Sequence, residues 1–527
     1  MMVDPIKLEI FKNKFSAIAE EMGVTLNRTA FSPNIKERRD YSCAIFNASG
    51  DMLNQAAHIP VHLGSMPMSV KAAIKNIVFN PGDMVILNDP FKGGTHLPDV
   101  TIVAPVFVKN DLVTPLFFVA NRAHHADIGG MSAGSMPLSR SIYQEGLIIP
   151  AIKIIKKGQI DENIMKLILS NVRTSIERQG DFAAQFMANK IGIRRIDELI
   201  EKNGFERIVR YSNALIEYSE KIMRKTLETI PDGSYNFEDY LDSDGVDEEE
   251  IMIKTTVDIQ KDQAIIDFKG SSKQVHGSVN AVYAITASAC LYVFRSLVKE
   301  NIPTNAGCMN PLIIKTQPGT VVDATYPAAV AGGNVETSQR IVDCILGALS
   351  KAIPEKIPAA SQGTMNNLTI GGIESDSGKA FAYYETMGGG TGASANEDGE
   401  SAIQSHMTNT LNTPVEAIEY EYPFQVTNYA IRHNSGGKGL HKGGDGLIRE
   451  FVLLNDAECT MLSERRKFSP YGLFGGEKGK TGKNLLISRC KLEELPGKFS
   501  LFLKKGDKLR IETPGGGGYK KEKELID

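Results

Sequence analysis

Cysteine is scarce in this sequence and never clustered. The six that occur, Cys43, Cys290, Cys308, Cys344, Cys459 and Cys490, lie far apart and form no Cys-x-x-Cys pair. Such spacing argues against a secreted disulfide framework and against a thiolate metal site, and fits reduced thiols in a cytoplasmic protein. A basic run is also missing. The net charge is −4 and the pI near 6.2, so the electrostatic footprint of a nucleic-acid binder is absent. Met1 to Arg28 has no apolar signal-peptide core. Charge is missing from one further stretch, Gln274 to Phe294, which is long enough to span a bilayer. Its Gln274, His276, Asn280, Thr286 and Ser288 are too polar for lipid, so we expect a loop entering a buried helix and no membrane association. There is no internal repeat, no Gly-x-Ser-x-Gly elbow and no Cys/His nucleophile pairing.

What is present is an ordinary globular composition, 42% hydrophobic and 23% charged over 527 residues, enough for several cores. Leu8, Ile10, Phe11, Phe15, Ile18, Met22 and Leu26 recur at mostly three- and four-residue steps, predicting an amphipathic helix over 6–28. A hairpin is expected from Tyr41–Phe46 and Met52–Gln55, a helix over 69–78, and a compact strand at Met84–Leu87. Val100–Val108 and Leu112–Ala120 read as a strand pair turning at Lys109-Asn110-Asp111, and helical periodicity fills 162–229. Glu238 to Glu250 holds eight acidic residues without the ligand spacing of an EF-hand, which predicts a solvated hairpin or linker. The fold class expected is a mixed α/β (α+β), multidomain protein. Residues 1–230 form a mixed helix and sheet domain carrying the candidate metal site, residues 231–430 a central mixed α/β domain, and residues 431–527 a Gly-rich, β-dominated region.

The densest chemistry lies between Asn88 and Asp127. A loop, Gly93-Gly94-Thr95-His96-Leu97-Pro98-Asp99, opens one strand, and Asn121-Arg122-Ala123-His124-His125-Ala126-Asp127 ends the returning one. Antiparallel pairing of those strands brings His96 and Asp99 to the same sheet edge as His124, His125 and Asp127. Two imidazoles and a carboxylate suit a borderline divalent cation with positions left open for water or substrate. A lone loop histidine is ordinarily a turn residue or a satisfied core group. Three of the nine histidines at converging strand ends argue for metal.

His58 and His62 form a second pair. Pro60 between them excludes the i, i+4 face of a zincin helix. An extended segment would turn both rings to one side, as acid/base groups facing a site or as structural residues. The polar run from His406 to Glu416 lines a pocket or forms a series of turns. Gly388–Gly392 and Gly515–Gly518 are not followed by a phosphate-loop Lys-Ser/Thr or an apolar helix, so nucleotide binding is not expected, and the second run is read as tight turns.

These residues resemble the hydantoinase B/oxoprolinase family, which also holds the alpha-type subunits of acetone and acetophenone carboxylases. The resemblance rests on His58-Ile-Pro-Val-His-Leu-Gly64, Asn88-Asp-Pro-Phe91, Gly94-Thr-His-Leu-Pro-Asp99 and His124-His-Ala-Asp-Ile-Gly-Gly130. It continues in Asp267-Phe-Lys-Gly270, Asn334-Val-Glu-Thr-Ser-Gln-Arg340, Thr410-Leu-Asn-Thr-Pro-Val-Glu416 and Glu512-Thr-Pro-Gly-Gly-Gly-Gly-Tyr519, spanning nearly the whole chain in order. It implies a hetero-oligomer with a hydantoinase A-type partner of actin-like fold that uses the ATP. It also implies a divalent metal, manganese foremost with zinc or iron accommodated, on His96, Asp99 and His124, His125 being the alternative last ligand. The implied reaction opens an activated cyclic amide, a 5-oxoproline or a hydantoin. His125 or Asp127 would serve as the neighbouring base. Carboxylation of a ketone and a non-catalytic scaffold are the alternatives.

Overall fold

The computed structural model describes residues 3–521 apart from 57, 109–112 and 490. The first helix, α1 (Pro5–Thr29), starts where Asp4 caps it by accepting from Ile6 N, with Pro5 in the first turn. Of its predicted apolar stripe, Phe11, Phe15, Ile18, Met22 and Leu26 are buried, Leu8 is half-buried and Ile10 is exposed. A four-residue helix, α2 (Pro33–Lys36), follows behind a Ser32 cap.

A seven-stranded antiparallel sheet organises the N-terminal part. Its strands are β1 (Tyr41–Asn47), β2 (Met52–Gln55), β3 (Met84–Leu87), β4 (Asp99–Val106), β5 (Phe117–His124), β6 (Ile152–Lys156) and β7 (Gln159–Ile160), in the order β2-β1-β5-β4-β3-β6-β7. Both faces of the central strands are covered. One side packs on α1 and on α5 (Ser175–Asn203), which follows α4 (Glu162–Leu169); the other packs on α3 (Met66–Asn76). Side chains alternate between the two. Val103, Phe118 and Ala120 join the cluster under α3, while Ile102, Phe117 and Val119 join the main core.

The β4–β5 pair is the one expected, with shifted ends. β5 runs on through Asn121 to His124, because Tyr41 to Ala44 of β1 pair with it to that point. The expected turn at Lys109-Asn110-Asp111 lies outside the described residues.

After the helix α6 (Phe205–Leu227), a four-stranded sheet collects Gly233–Leu241, Ile251–Gln260, Gln263–Asp267 and Leu312–Lys315. The acidic segment is a hairpin, but it is not simply solvated. Asp239 is paired with Arg465 and Arg340, and Asp242 and Asp244 accept backbone N–H groups of Arg466, Phe468 and Gly277. The charge-free stretch becomes α7 (Tyr283–Ser296), a helix buried along almost its whole length. No described helix is long and apolar enough to cross a membrane. A π-turn, Gly333–Thr337, leads into a wholly buried helix, Ser338–Leu349.

A four-stranded and a five-stranded antiparallel sheet complete the chain. Beside them the glycine runs pack backbone on backbone. Gly390 N donates to Pro514 O, Gly516 N to Gly444 O and Gly437 N to Gly516 O. A Cβ on Gly390 would stand 1.9 Å from Gly444 O, and one on Gly516 1.9 Å from Thr391 O. The expectation for the C-terminal run is tight turns. None of Gly515–Gly518 takes a positive φ, so its glycines serve close approach of backbones instead.

Candidate metal centre

Cross-strand register builds the site. Asp99, the first residue of β4, lies directly opposite His124, the last of β5. Both share the face that carries Thr101, Val103, Ala120 and Arg122, so their side chains point the same way. His96 arrives from the loop before β4. Asn88 fixes that loop by donating to Leu97 O (2.8 Å) and accepting from Ile149 N (2.7 Å). Gly93 lets it pass beneath α3: its φ is +95°, and a Cβ would fall 2.5 Å from the Met68 backbone.

His96, Asp99 and His124 are all buried, and each offers a ligand atom within 4.8 Å of the others. Asp99 Oδ2 is the focus. His96 Nε2 and His62 Nε2 each lie 3.3 Å from it, Asn334 Nδ2 lies 3.5 Å away, and Thr95 Oγ1 donates to it. Burial by itself raises the Asp99 carboxyl, yet the neighbouring His96 and His62 outweigh that and hold it well below the usual carboxylate range. Burial holds His124 well below the usual imidazole range, against the pull of Asp99. An ionised carboxylate and a neutral imidazole are the forms in which these groups bind a cation.

Surrounding residues fix the ligands. His96 Nδ1 lies 3.4 Å from Ala331 O, and its Nε2 lies 3.0 Å from Asn334 Nδ2. Asn34 of α2 donates to His124 O (2.6 Å) and lies 3.1 Å from His124 Nδ1. Arg38 orients that amide by donating to Asn34 Oδ1. Tyr384 stacks on the His124 ring, 4.5 Å between centroids. Glu145, fully buried, accepts from Val330 N (2.8 Å), Ala331 N (3.0 Å) and Ser139 Oγ (2.7 Å), so it holds the peptide unit that holds His96. Two buried atoms at the cluster, His124 Nε2 and Asn334 Oδ1, have no partner among the described residues. The donor set and these free atoms fit a divalent cation.

The other expected residues are placed differently. Pro60–His62 is a 3₁₀ turn, not an extended segment, so the two histidines diverge. His62 reaches the cluster and meets Ser42 Oγ at 2.9 Å through Nδ1. His58 accepts from Cys43 N (3.1 Å) and packs edge-on against Tyr41, away from the cluster. His125, next in sequence to His124, falls on the opposite face, where it meets Gln185 Oε1 (3.0 Å) and stacks on Phe182. Asp127 is engaged by Arg173 at 2.8 Å. Neither His125 nor Asp127 touches the cluster, which removes the geometric basis for a base at either position. Sequence reasoning missed Asn34, Glu145, Asn334 and Tyr384. Only Asn334 carried a signal, as the first residue of a matching segment.

The chain as a whole is similar to known proteins. Residues 4–522 match the family model described as Hydantoinase B/oxoprolinase. The chain is 41% identical over 548 residues to 5-oxoprolinase 1 of Arabidopsis thaliana, covering 98% of this chain and 42% of that protein. It is 31% identical over 540 residues to the proposed B-type chain of a D-/L-hydantoinase of Pseudomonas sp. (strain NS671), covering 98% and 90%. The crystal structure of the ATP-dependent caprolactamase from Pseudomonas jessenii superposes with a TM-score of 0.91 at 27% identity, over 99% of this chain and 92% of that one. This chain thus spans about two-fifths of the length of the curated 5-oxoprolinases it matches. The chain belongs to the hydantoinase B/oxoprolinase family.

Proposed function

We propose that this chain is the metal-dependent, B-type half of an ATP-dependent cyclic amidohydrolase. Its substrate would be a 5-oxoproline or hydantoin ring whose amide oxygen has been phosphorylated by an A-type ATPase partner. The observation that carries this reading is the convergence of His96, Asp99 and His124 at the ends of two paired strands. Relatives named 5-oxoprolinase and caprolactamase support a cyclic amide. The Pseudomonas relative, named as one subunit of a hydantoinase, supports a separate partner.

Amide resonance deactivates the ring carbonyl, and phosphorylating its oxygen restores the electrophilicity of the carbon; water would add there, the ring C–N bond would break as the nitrogen takes a proton, and a second water would release phosphate from the resulting acyl phosphate. A divalent cation on His96, Asp99 and His124, manganese foremost with zinc or iron as alternatives, would acidify a water toward a pKa of about 7. Thr95, His62 and Asn334 hold the Asp99 carboxylate in place. His62 is the residue positioned to move a proton. It bridges Ser42 Oγ and Asp99 Oδ2, and burial lowers its pKa despite Asp99, so it stands ready in the neutral, accepting form.

The test is ATP-dependent ring opening of 5-oxoproline by the chain together with its A-type partner. His96→Ala is expected to abolish turnover and to release the metal. His62→Gln is expected to keep the metal while lowering kcat by about 10²-fold. Full turnover in His96→Ala would sink the reading. Bicarbonate-dependent consumption of a ketone would move the chain to the carboxylases, and purified chain without stoichiometric metal would make it a scaffold.

A further inference from the structure

The centre is backed by a single guanidinium that the chemistry above does not use. Arg122 lies two residues before His124 on β5, on the face that carries both strand ligands, and is 0% exposed. Every hydrogen-bond partner of its side chain is a hydroxyl. Nε donates to Thr101 Oγ1 (2.9 Å), Nη1 to Ser65 Oγ (2.6 Å) and Nη2 to Ser69 Oγ (2.8 Å). Buried charges are ordinarily paired with an opposite charge. Here burial lowers the guanidinium to about 10, and Asp99 is the charge that acts against that shift.

Each hydroxyl belongs or bonds to a segment that delivers a group of the centre. Thr101 is the cross-strand partner of Arg122 and lies two residues after Asp99 on β4. Ser65 Oγ donates to Val61 O and His62 O, both at 3.3 Å, and so holds the turn that carries His62. Ser69, one turn further along α3, donates from Oγ to Gly93 O (2.7 Å), where the loop bearing His96 begins. His124 follows Arg122 on its own strand. One side chain thus reaches, directly or through one hydroxyl, the segments of His62, His96, Asp99 and His124.

The direction of these bonds follows from which groups can donate. A guanidinium has no acceptor, so Ser65 and Ser69 must accept from it. Each serine hydroxyl carries one proton, which is then left for the loop carbonyl beyond. Accepting from a cation also polarises the hydroxyl and makes it the stronger donor. A neutral amide could accept as well as donate, and would let the serines turn round. A lysine ammonium lacks the planar fork that serves three partners at once.

We propose that Arg122 is a positioning residue for the metal centre, setting His62 through Ser65 and the His96 loop through Ser69. The Ser65 branch rests on the function proposed above, because it acts on the residue assigned there to proton movement. The Ser69 branch concerns metal binding alone.

The two branches are read separately. Mn(II) affinity is measured on the purified full chain by competition with a chelator. The kcat for 5-oxoproline with ATP is measured on the chain together with its A-type partner. Ser69→Ala is expected to weaken Mn(II) binding by about tenfold. Ser65→Ala is expected to leave that affinity within about twofold of wild type and to lower kcat by about tenfold. In the His62→Gln background, Ser65→Ala is expected to have less than about twofold further effect, since the residue it aims is gone. Arg122→Lys keeps the charge, loses the fork, and is expected to show both losses. Unchanged Mn(II) affinity in Ser69→Ala, wild-type kcat in Ser65→Ala, or full multiplication of the Ser65→Ala and His62→Gln losses overturns the assignment. The Mn(II) measurement needs neither partner nor substrate, so it decides the role of Arg122 at the metal even if lactam turnover is absent and the proposed function fails. A wild-type chain without Mn(II) affinity overturns both.

Discussion

Glu145 reaches the cluster only through a peptide unit, and that indirect contact has a measurable consequence. It fixes Val330 and Ala331, whose carbonyl fixes the His96 ring. Outer partners of this kind carry about 10- to 100-fold in metal affinity. Glu145→Ala is therefore expected to weaken metal binding by about tenfold or more, read by competition with a chromogenic chelator. Glu145→Gln keeps the accepting oxygen and is expected to stay within about threefold of wild type. Equal affinities in all three proteins would remove Glu145 from the support of His96. At this scale the sequence is informative where ligands lie close along the chain. Asp99 and His124 belong to two adjacent strands and His96 to the loop that opens one of them, so pattern alone brings them together. His125 and Asp127 are the excess of that reasoning, since strand alternation already sends residue 125 to the far face. Asn34, Glu145 and Tyr384 arrive from remote segments, and no local spacing announces them.

Among the elements, β1 to β5 of the first sheet are readable because their apolar runs are short and bounded by turn residues, while β6 and β7, the short edge strands, are not among the expected elements. The end of β5 is not readable, since it depends on pairing with β1. The π-turn is equally hidden, because one extra residue per turn leaves no compositional trace. The glycine runs are recognisable as poor phosphate loops, yet their real task, backbone contact, is a property of partners far along the chain. That contact predicts a contrast. Gly390→Ala places a methyl 1.9 Å from Gly444 O and 2.5 Å from Gly516 N, both main-chain atoms that cannot step aside. A loss of about 3 kcal/mol or more is expected from such overpacking. Gly158→Ala meets nothing within 4 Å and has only its φ of +85° to bear, which costs about 1 kcal/mol. Urea denaturation of the two variants checks the order, and equal midpoints would refute the packing argument.

Across the whole molecule, buried titratable groups set opposing responses to pH. Burial lowers His58 to about 4, with the charge of His62 adding to it, and lowers His125 to about 4. A histidine depressed in the folded state contributes stability that is complete above its unfolded pKa and is lost as pH falls through the folded value. Each therefore withdraws about 3 kcal/mol between roughly pH 6.5 and 4. Burial raises Asp40, Glu145 and Glu336 to about 7, and their contribution runs the other way, complete in acid and lost as pH rises through 7. His58→Asn isolates one component. Asparagine can still accept from Cys43 N, so the variant should fold, and its stability should fall less than that of wild type between pH 6.5 and 4. Parallel curves for the two proteins would refute the assignment.

The interlocked glycines also bear on how this chain can vary over time. Every glycine codon becomes another residue, or a stop, when its first or second base changes, and each replacement adds at least a methyl group. Where Gly390, Gly443, Gly444 and Gly516 press against neighbouring main chain, that methyl has nowhere to go. Third-base changes, which leave the protein untouched, are then the only single-nucleotide steps open at those positions, while the helices and strands around them remain free to drift.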